Sequence, residues 1–155
     1  MNSTFHLAIG TMAQGEIPAG DRLLVLVFQV NCPGCFQYAL PTAEAIHRQG
    51  DRLGLSVLGL STAFEDFELN TIGNTRALVE RGELVGVTRR VLGSERYSNA
   101  LSFPVATDAR MEHGVGETFA RNALPGTPTW ILLDEERRRY GQWFGRLPIE
   151  SLARS

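Results

Sequence analysis

The sequence predicts an α/β fold with parallel strands and an antiparallel edge, and three observations point to it. A continuous apolar run, LLVLVFQV (23–30), is followed at once by NCPGC and a helix-like stretch. A second apolar run, LGLSVLGLS (53–61), comes after that helix. Two late strand patterns, PTWILLD (128–134) and RYGQWFG (139–145), flank the charged turn EERR. Strand–helix–strand requires a crossover and so parallel pairing, whereas two strands joined by a short turn pair antiparallel.

Each element has a local reason. The unbroken apolar runs at 23–30 and 53–61 fit strands buried on both faces. Pro33 stands where a first-turn proline costs no hydrogen bond, so the helix opens at the cysteines. That helix reads 34–50, stopping at Gly50, with Pro41 as an internal kink. Residues 74–82 read as a helix capped by Asn74, and 83–93 extend or follow it. FPVAT (103–107) reads as a short strand, and 111–123 as a helix weakened by two glycines. Trp130 alternates with Leu132 and reads as core. PIESLAR (148–154) closes the chain as a short helix. No repeat or linker divides the 155 residues, so 1–155 reads as one domain large enough to bury its own core.

Composition narrows the function. A net charge of −2 gives no reason to expect nucleic acid as partner, and no apolar run reaches the ~20 residues of a membrane span. MNSTFHLAIG lacks a basic n-region and does not read as a secretory signal. The expected location is cytoplasmic if the chain is complete, and periplasmic or otherwise extracytoplasmic if a leader has been removed. In a reducing compartment a close cysteine pair points to redox or metal chemistry more than to a structural staple.

Cys32 and Cys35 are the only cysteines. At a helix opening, Cys32 sits where unpaired N–H groups and the macrodipole favour a thiolate, the species that attacks disulfides. Cys35, one turn further in, is expected to be more buried and to resolve the mixed disulfide. Tetrahedral zinc needs four ligands, and His6, His47 and His113 are too scattered to complete a set, so no metal site is expected. Two inert buried thiols remain an alternative.

Three stretches together resemble the thioredoxin-like superfamily, in particular its redoxin branch of AhpC/TSA-type, TlpA-like thiol–disulfide oxidoreductases. They are VFQVNCPGCFQYALP, GLSTAFE (59–65) and GTPTWILLDEERRRYGQWFG (126–145). The resemblance implies a thioredoxin-like fold, a central mixed sheet flanked by helices with a C-terminal antiparallel hairpin and short helix. It implies catalysis by Cys32 and Cys35 across Pro33 and Gly34, with Pro128 cis beside them. Thr127 would then offer its backbone to an extended substrate segment.

The departures from that pattern are specific. Leu26 stands where thioredoxins carry a buried acid, Asn31 replaces the usual aromatic, and Tyr38 replaces the Glu common in TlpA-type proteins. The proton carrier for Cys35 is therefore missing from its familiar positions. Because 53–61 should run parallel to 23–30, both strands exit at one sheet edge, and Glu65 becomes a candidate carrier. The competing reading of Glu65 is a solvated loop acid beside Asp66 and Glu68.

The implied function is thiol–disulfide exchange, acting as a reductant of protein or small-molecule disulfides and recharged by an upstream thiol reductant, with no cofactor. Pro-Gly adds no charge between the cysteines, so the expected midpoint lies between about −270 and −180 mV. A peroxiredoxin-type peroxidase is the first alternative, but Val25 and Gln29 occupy the places of its P-x-x-x-T-x-x-C proline and threonine. A non-catalytic binding module on the same fold is the second.

Overall fold

The computed structural model describes residues 2–153 and holds six strands. These are β1 (Ile9–Gln14), β2 (Arg22–Phe28), β3 (Leu55–Ser61), β4 (Val105–Asp108), β5 (Thr129–Leu133) and β6 (Arg139–Phe144). They form one mixed sheet in the order β1-β4-β3-β2-β5-β6. β2 pairs parallel with β3, and β3 with β4, while β1–β4, β2–β5 and β5–β6 are antiparallel.

The unbroken apolar run is explained by burial on both faces. Leu24, Leu26 and Phe28 pack into one core, and Leu23, Val25 and Val27 into another on the opposite side of the sheet. The first core lies under the helices that cross from β2 to β3 and from β3 to β4. Both crossovers step the same way across the sheet and so land on the same face. They comprise α1 (Leu40–Arg48), α2 (Gly50–Leu53), α3 (Ile72–Arg81) and α4 (Gly86–Leu92). The second core is covered by Phe5, Leu124 and Phe119, the last from α5 (Glu117–Arg121).

The departures from sequence expectation each have a cause. The helix after the cysteines is irregular just ahead of Pro41, running as a π-helical turn (Cys35–Ala39) before α1. Pro41 has no N–H to donate, and the wider turn lets the Leu40 N–H bond to the Cys35 carbonyl. The Thr42 hydroxyl donates to the Tyr38 carbonyl at 2.7 Å. The helix does end beside Gly50: α1 stops at Arg48 with Gln49 as its C-cap, and Gly50 opens the short, separate α2. Gly50 permits close packing, since a Cβ there would stand 2.7 Å from the Leu55 carbonyl oxygen. Gly54, in the left-handed conformation at φ 61°, then ends α2.

Thr71, not Asn74, caps α3, its hydroxyl accepting the Asn74 N–H at 3.0 Å. Gly82 at φ 71° ends α3, and α4 is separate. The helix read at 111–123 shrinks to a 3-10 turn (Glu112–Gly114) and α5, because His113 and Gly114 both take positive φ. The last element is a 3-10 turn (Ile149–Leu152), and Arg154 of the expected helix lies outside the described residues. β1 was not foreseen; its residues are only half-buried or exposed, and it joins β4 with two register irregularities. Trp130 is fully buried, its indole N–H donating to the Gly145 carbonyl at 2.9 Å.

Candidate active site

The parallel register that sets Phe28 beside Ser61 brings the exits of β2 and β3 to one sheet edge. Residues 29–34 and 62–71 leave there, the edge where α/β sheets build sites. The chain turns helical at Pro33, and the Cys35 N–H donates to the Cys32 carbonyl at 3.0 Å. Cys32 is half-buried and Cys35 fully buried, both as free thiols. Their sulfurs stand 2.6 Å apart, with the Cys35 thiol donating to Cys32. Pro33 is half-buried and Gly34 exposed between them. The Thr127–Pro128 peptide is cis, and the Thr127 carbonyl lies 3.7 Å from the Cys32 sulfur.

The two thiols differ in acidity. The Cys35 thiol hydrogen bond brings Cys32 down to about 6 from the usual 9.0. Burial opposes this, the Thr127 hydroxyl and the Cys35 backbone reinforce it, and the Glu65 charge opposes it weakly. Cys35 moves well up, first because it is buried and then because it gives its proton to Cys32. One sulfur is thus a thiolate at neutral pH and its neighbour a protonated thiol.

Glu65 is solvent-exposed, and its charge works against the Cys32 thiolate. Leu26 is fully buried in the core between Gly59 and Trp130. Tyr38 staples the cysteine helix to the C-terminal segment. Its hydroxyl accepts the Leu147 N–H at 2.9 Å, and the Arg146 guanidinium sits 4.9 Å from its ring centre.

Several polar residues that sequence reasoning missed hold this loop. Asn31 is buried; its Oδ1 accepts the Val87 N–H at 2.8 Å and its Nδ2 donates to Asp66 Oδ2 at 2.9 Å. Thr88 accepts the Cys32 N–H and donates to the Val30 carbonyl, both at 2.8 Å. Gly86 allows this approach, at φ 52° with Asn31 Oδ1 where a side chain would begin. The available signal was Gln29 and Asn31 themselves, polar groups at the end of an apolar strand that need partners if buried. Among the described residues, no three His, Cys, Asp or Glu side chains converge as metal ligands, and no helix is long and apolar enough to cross a membrane.

No protein-family model and no curated protein sequence matches the chain. Solved structures do. A thiol-disulfide isomerase from Corynebacterium glutamicum is 28% identical with a TM-score of 0.73, covering 96% of this chain and 89% of that one. A thioredoxin-like superfamily protein is 23% identical with a TM-score of 0.71, covering 94% and 88%. StoA from Bacillus subtilis is 17% identical with a TM-score of 0.56, covering 96% of each chain. The chain therefore has a thioredoxin-like fold, an α/β structure with a six-stranded mixed sheet flanked by helices, and two cysteines three apart at the sheet edge.

Proposed function

We propose that this protein is a thiol–disulfide oxidoreductase that uses Cys32 and Cys35 to reduce disulfides in partner proteins. The observation that carries the reading is the placement of two touching sulfurs at a helix opening, Cys32 half-exposed and Cys35 buried, beside the cis Thr127–Pro128 peptide. The Cys32 thiolate attacks one sulfur of a substrate disulfide, and the other substrate sulfur leaves as a thiolate. Cys35 then attacks the Cys32 sulfur, its proton passing through solvent to the departed substrate thiolate, and this closes the ring and expels the second substrate thiolate. The substrate gains two electrons, the pair becomes a disulfide, and an upstream dithiol restores it.

Access favours a protein partner. Thr127 lies outside the β5 ladder, so its backbone is placed to meet an extended segment. Exposed Phe67, Val87 and Phe144 sit on segments bordering the site, Phe144 against Gly126. The similarity to a thiol-disulfide isomerase supports the same chemistry. The peroxidase alternative gains nothing from the geometry, because Gln29 is an amide committed to protein partners.

The test is trapping. Cys35→Ser should accumulate a mixed disulfide between Cys32 and a disulfide protein such as insulin, released by dithiothreitol, while Cys32→Ser should form none. Wild-type protein that neither reduces insulin nor yields a trapped species in Cys35→Ser would refute the reading.

A further inference from the structure

The segment that carries the nucleophile, residues 30–32, lies beyond the end of β2 at Phe28, outside the strand ladder. Two adjacent residues of α4 hold it instead. The fully buried Thr88 hydroxyl accepts the Cys32 N–H at 2.8 Å and donates to the Val30 carbonyl at 2.8 Å. Both roles are fixed, because an amide N–H only donates, a carbonyl only accepts, and a hydroxyl has one proton. Between these two bonds, the Val87 N–H donates to Asn31 Oδ1 at 2.8 Å. That N–H belongs to the first turn of α4, where donors have no partner within the helix, and the N-cap residue Val85 supplies no side-chain acceptor. Asn31 fills the cap's role from a distant part of the chain. Leu84 and Val85 pack in the first core, which also holds Val30 and Cys35, so the clamp is anchored at both ends.

We propose that Thr88 and Asn31 are positioning residues that hold the Cys32 backbone on the start of α4 and so set how readily the Cys32–Cys35 disulfide closes. Cys35 is fully buried and its place is set by core packing, whereas Cys32 is half-buried on a loop. A ring closes most readily when neither end has to be ordered first. Without the clamp, the backbone around Cys32 gains freedom in the dithiol and in the mixed disulfide, and closure has to take that freedom away. Freezing one residue's backbone corresponds to roughly a factor of five to thirty. Pro33, and the Asn31 N–H bonded to Asn70 Oδ1 at 2.9 Å, keep part of that order. Losing either clamp residue should therefore disfavour the disulfide by about threefold to tenfold. The inference rests on the exchange reading and names the contacts of this chain that tune it.

The experiment equilibrates wild type, Thr88→Val, Thr88→Ser and Asn31→Ala with reduced and oxidised glutathione and reads the fraction of Cys32–Cys35 disulfide. Thr88→Val and Asn31→Ala should each raise the midpoint by about 15–30 mV, the equivalent of that threefold to tenfold loss. Thr88→Ser, which keeps the hydroxyl and both its bonds, should keep the wild-type midpoint. Urea unfolding of the same variants separates positioning from bare stability. A Thr88→Val protein that loses stability yet keeps the wild-type midpoint has lost a structural contact only, and overturns the proposal. A Thr88→Ser shift as large as that of Thr88→Val overturns it too. If Thr88→Val does not fold, Asn31→Ala carries the same expectation, and an unmoved midpoint there has the same consequence. A wild-type protein with no two-electron couple would sink the exchange reading and this inference with it, whereas a normal couple with unmoved variants sinks this inference alone.

Discussion

Titrating the reduced protein with iodoacetamide should expose the acidity of Cys32 directly. With a pKa of about 6, about 90% of Cys32 is thiolate at pH 7, against about 1% for a thiol at the usual 9.0. That is roughly a 90-fold gain in attacking species. A thiolate three units less basic is also a poorer nucleophile, by roughly 16- to 32-fold at a Brønsted slope of about 0.4–0.5. The net advantage over an unstructured peptide of residues 29–34 is about 3- to 6-fold at pH 7. At pH 5 the thiolate ratio is about 900, and the advantage grows to roughly 30- to 60-fold. Near pH 9 the peptide is half ionised and becomes the faster of the two, so the curves cross at about pH 7.5–8. Partial burial slows the protein by the same factor at every pH, so the inflection and the change in ratio are the readouts. Mass mapping should place the label on Cys32, because Cys35 is fully buried. An inflection above pH 8, a constant ratio from pH 5 to 9, or first labelling at Cys35 would refute the reasoning.

Three substitutions test other parts of the account. Glu65→Gln removes a charge that opposes the Cys32 thiolate, so the alkylation inflection should move to lower pH, an effect that fades as salt rises. A slower ring-closing step without that movement would instead support Glu65 as the proton carrier for Cys35. Thr88→Val keeps the shape but strands the Cys32 N–H and the Val30 carbonyl, and urea unfolding should show a loss of about 2–4 kcal/mol. Gly116→Ala places a methyl against Thr62 Oγ1 and the buried Asp108 carboxylate, which accepts that hydroxyl at 2.8 Å and the Thr118 N–H at 2.8 Å. It should cost about 3 kcal/mol or more by the same assay, and a change below about 0.5 kcal/mol in either variant would contradict the packing described.

What the sequence shows and hides divides along physical lines. β2 was legible because burial on both faces demands an unbroken apolar run, and β5–β6 because a polar turn separates two strand patterns. The cysteine pair was legible from its C-x-x-C spacing at a strand–helix junction, and the cis Pro128 beside it only through the family resemblance. β1 was not, since IGTMAQ lies at the sheet's edge and carries no apolar alternation. The π-helical turn was hidden for another reason. Pro41 announces a disturbed helix, but the sequence does not say whether the chain bends or widens its turn. The polar cradle was the least visible part. Asn31 meets Val87 and Asp66, Cys32 meets Thr88, and Gln29 meets Thr127, each across dozens of residues that only the fold closes. Such partners carry no local pattern of their own.

A redox titration against glutathione reads the pairing of Cys32 with Cys35 itself. One cooperative two-electron transition joining Cys32 to Cys35 is expected, with a midpoint between about −270 and −180 mV. Two thiols that take up glutathione separately, with no intramolecular disulfide at any ratio, would contradict it.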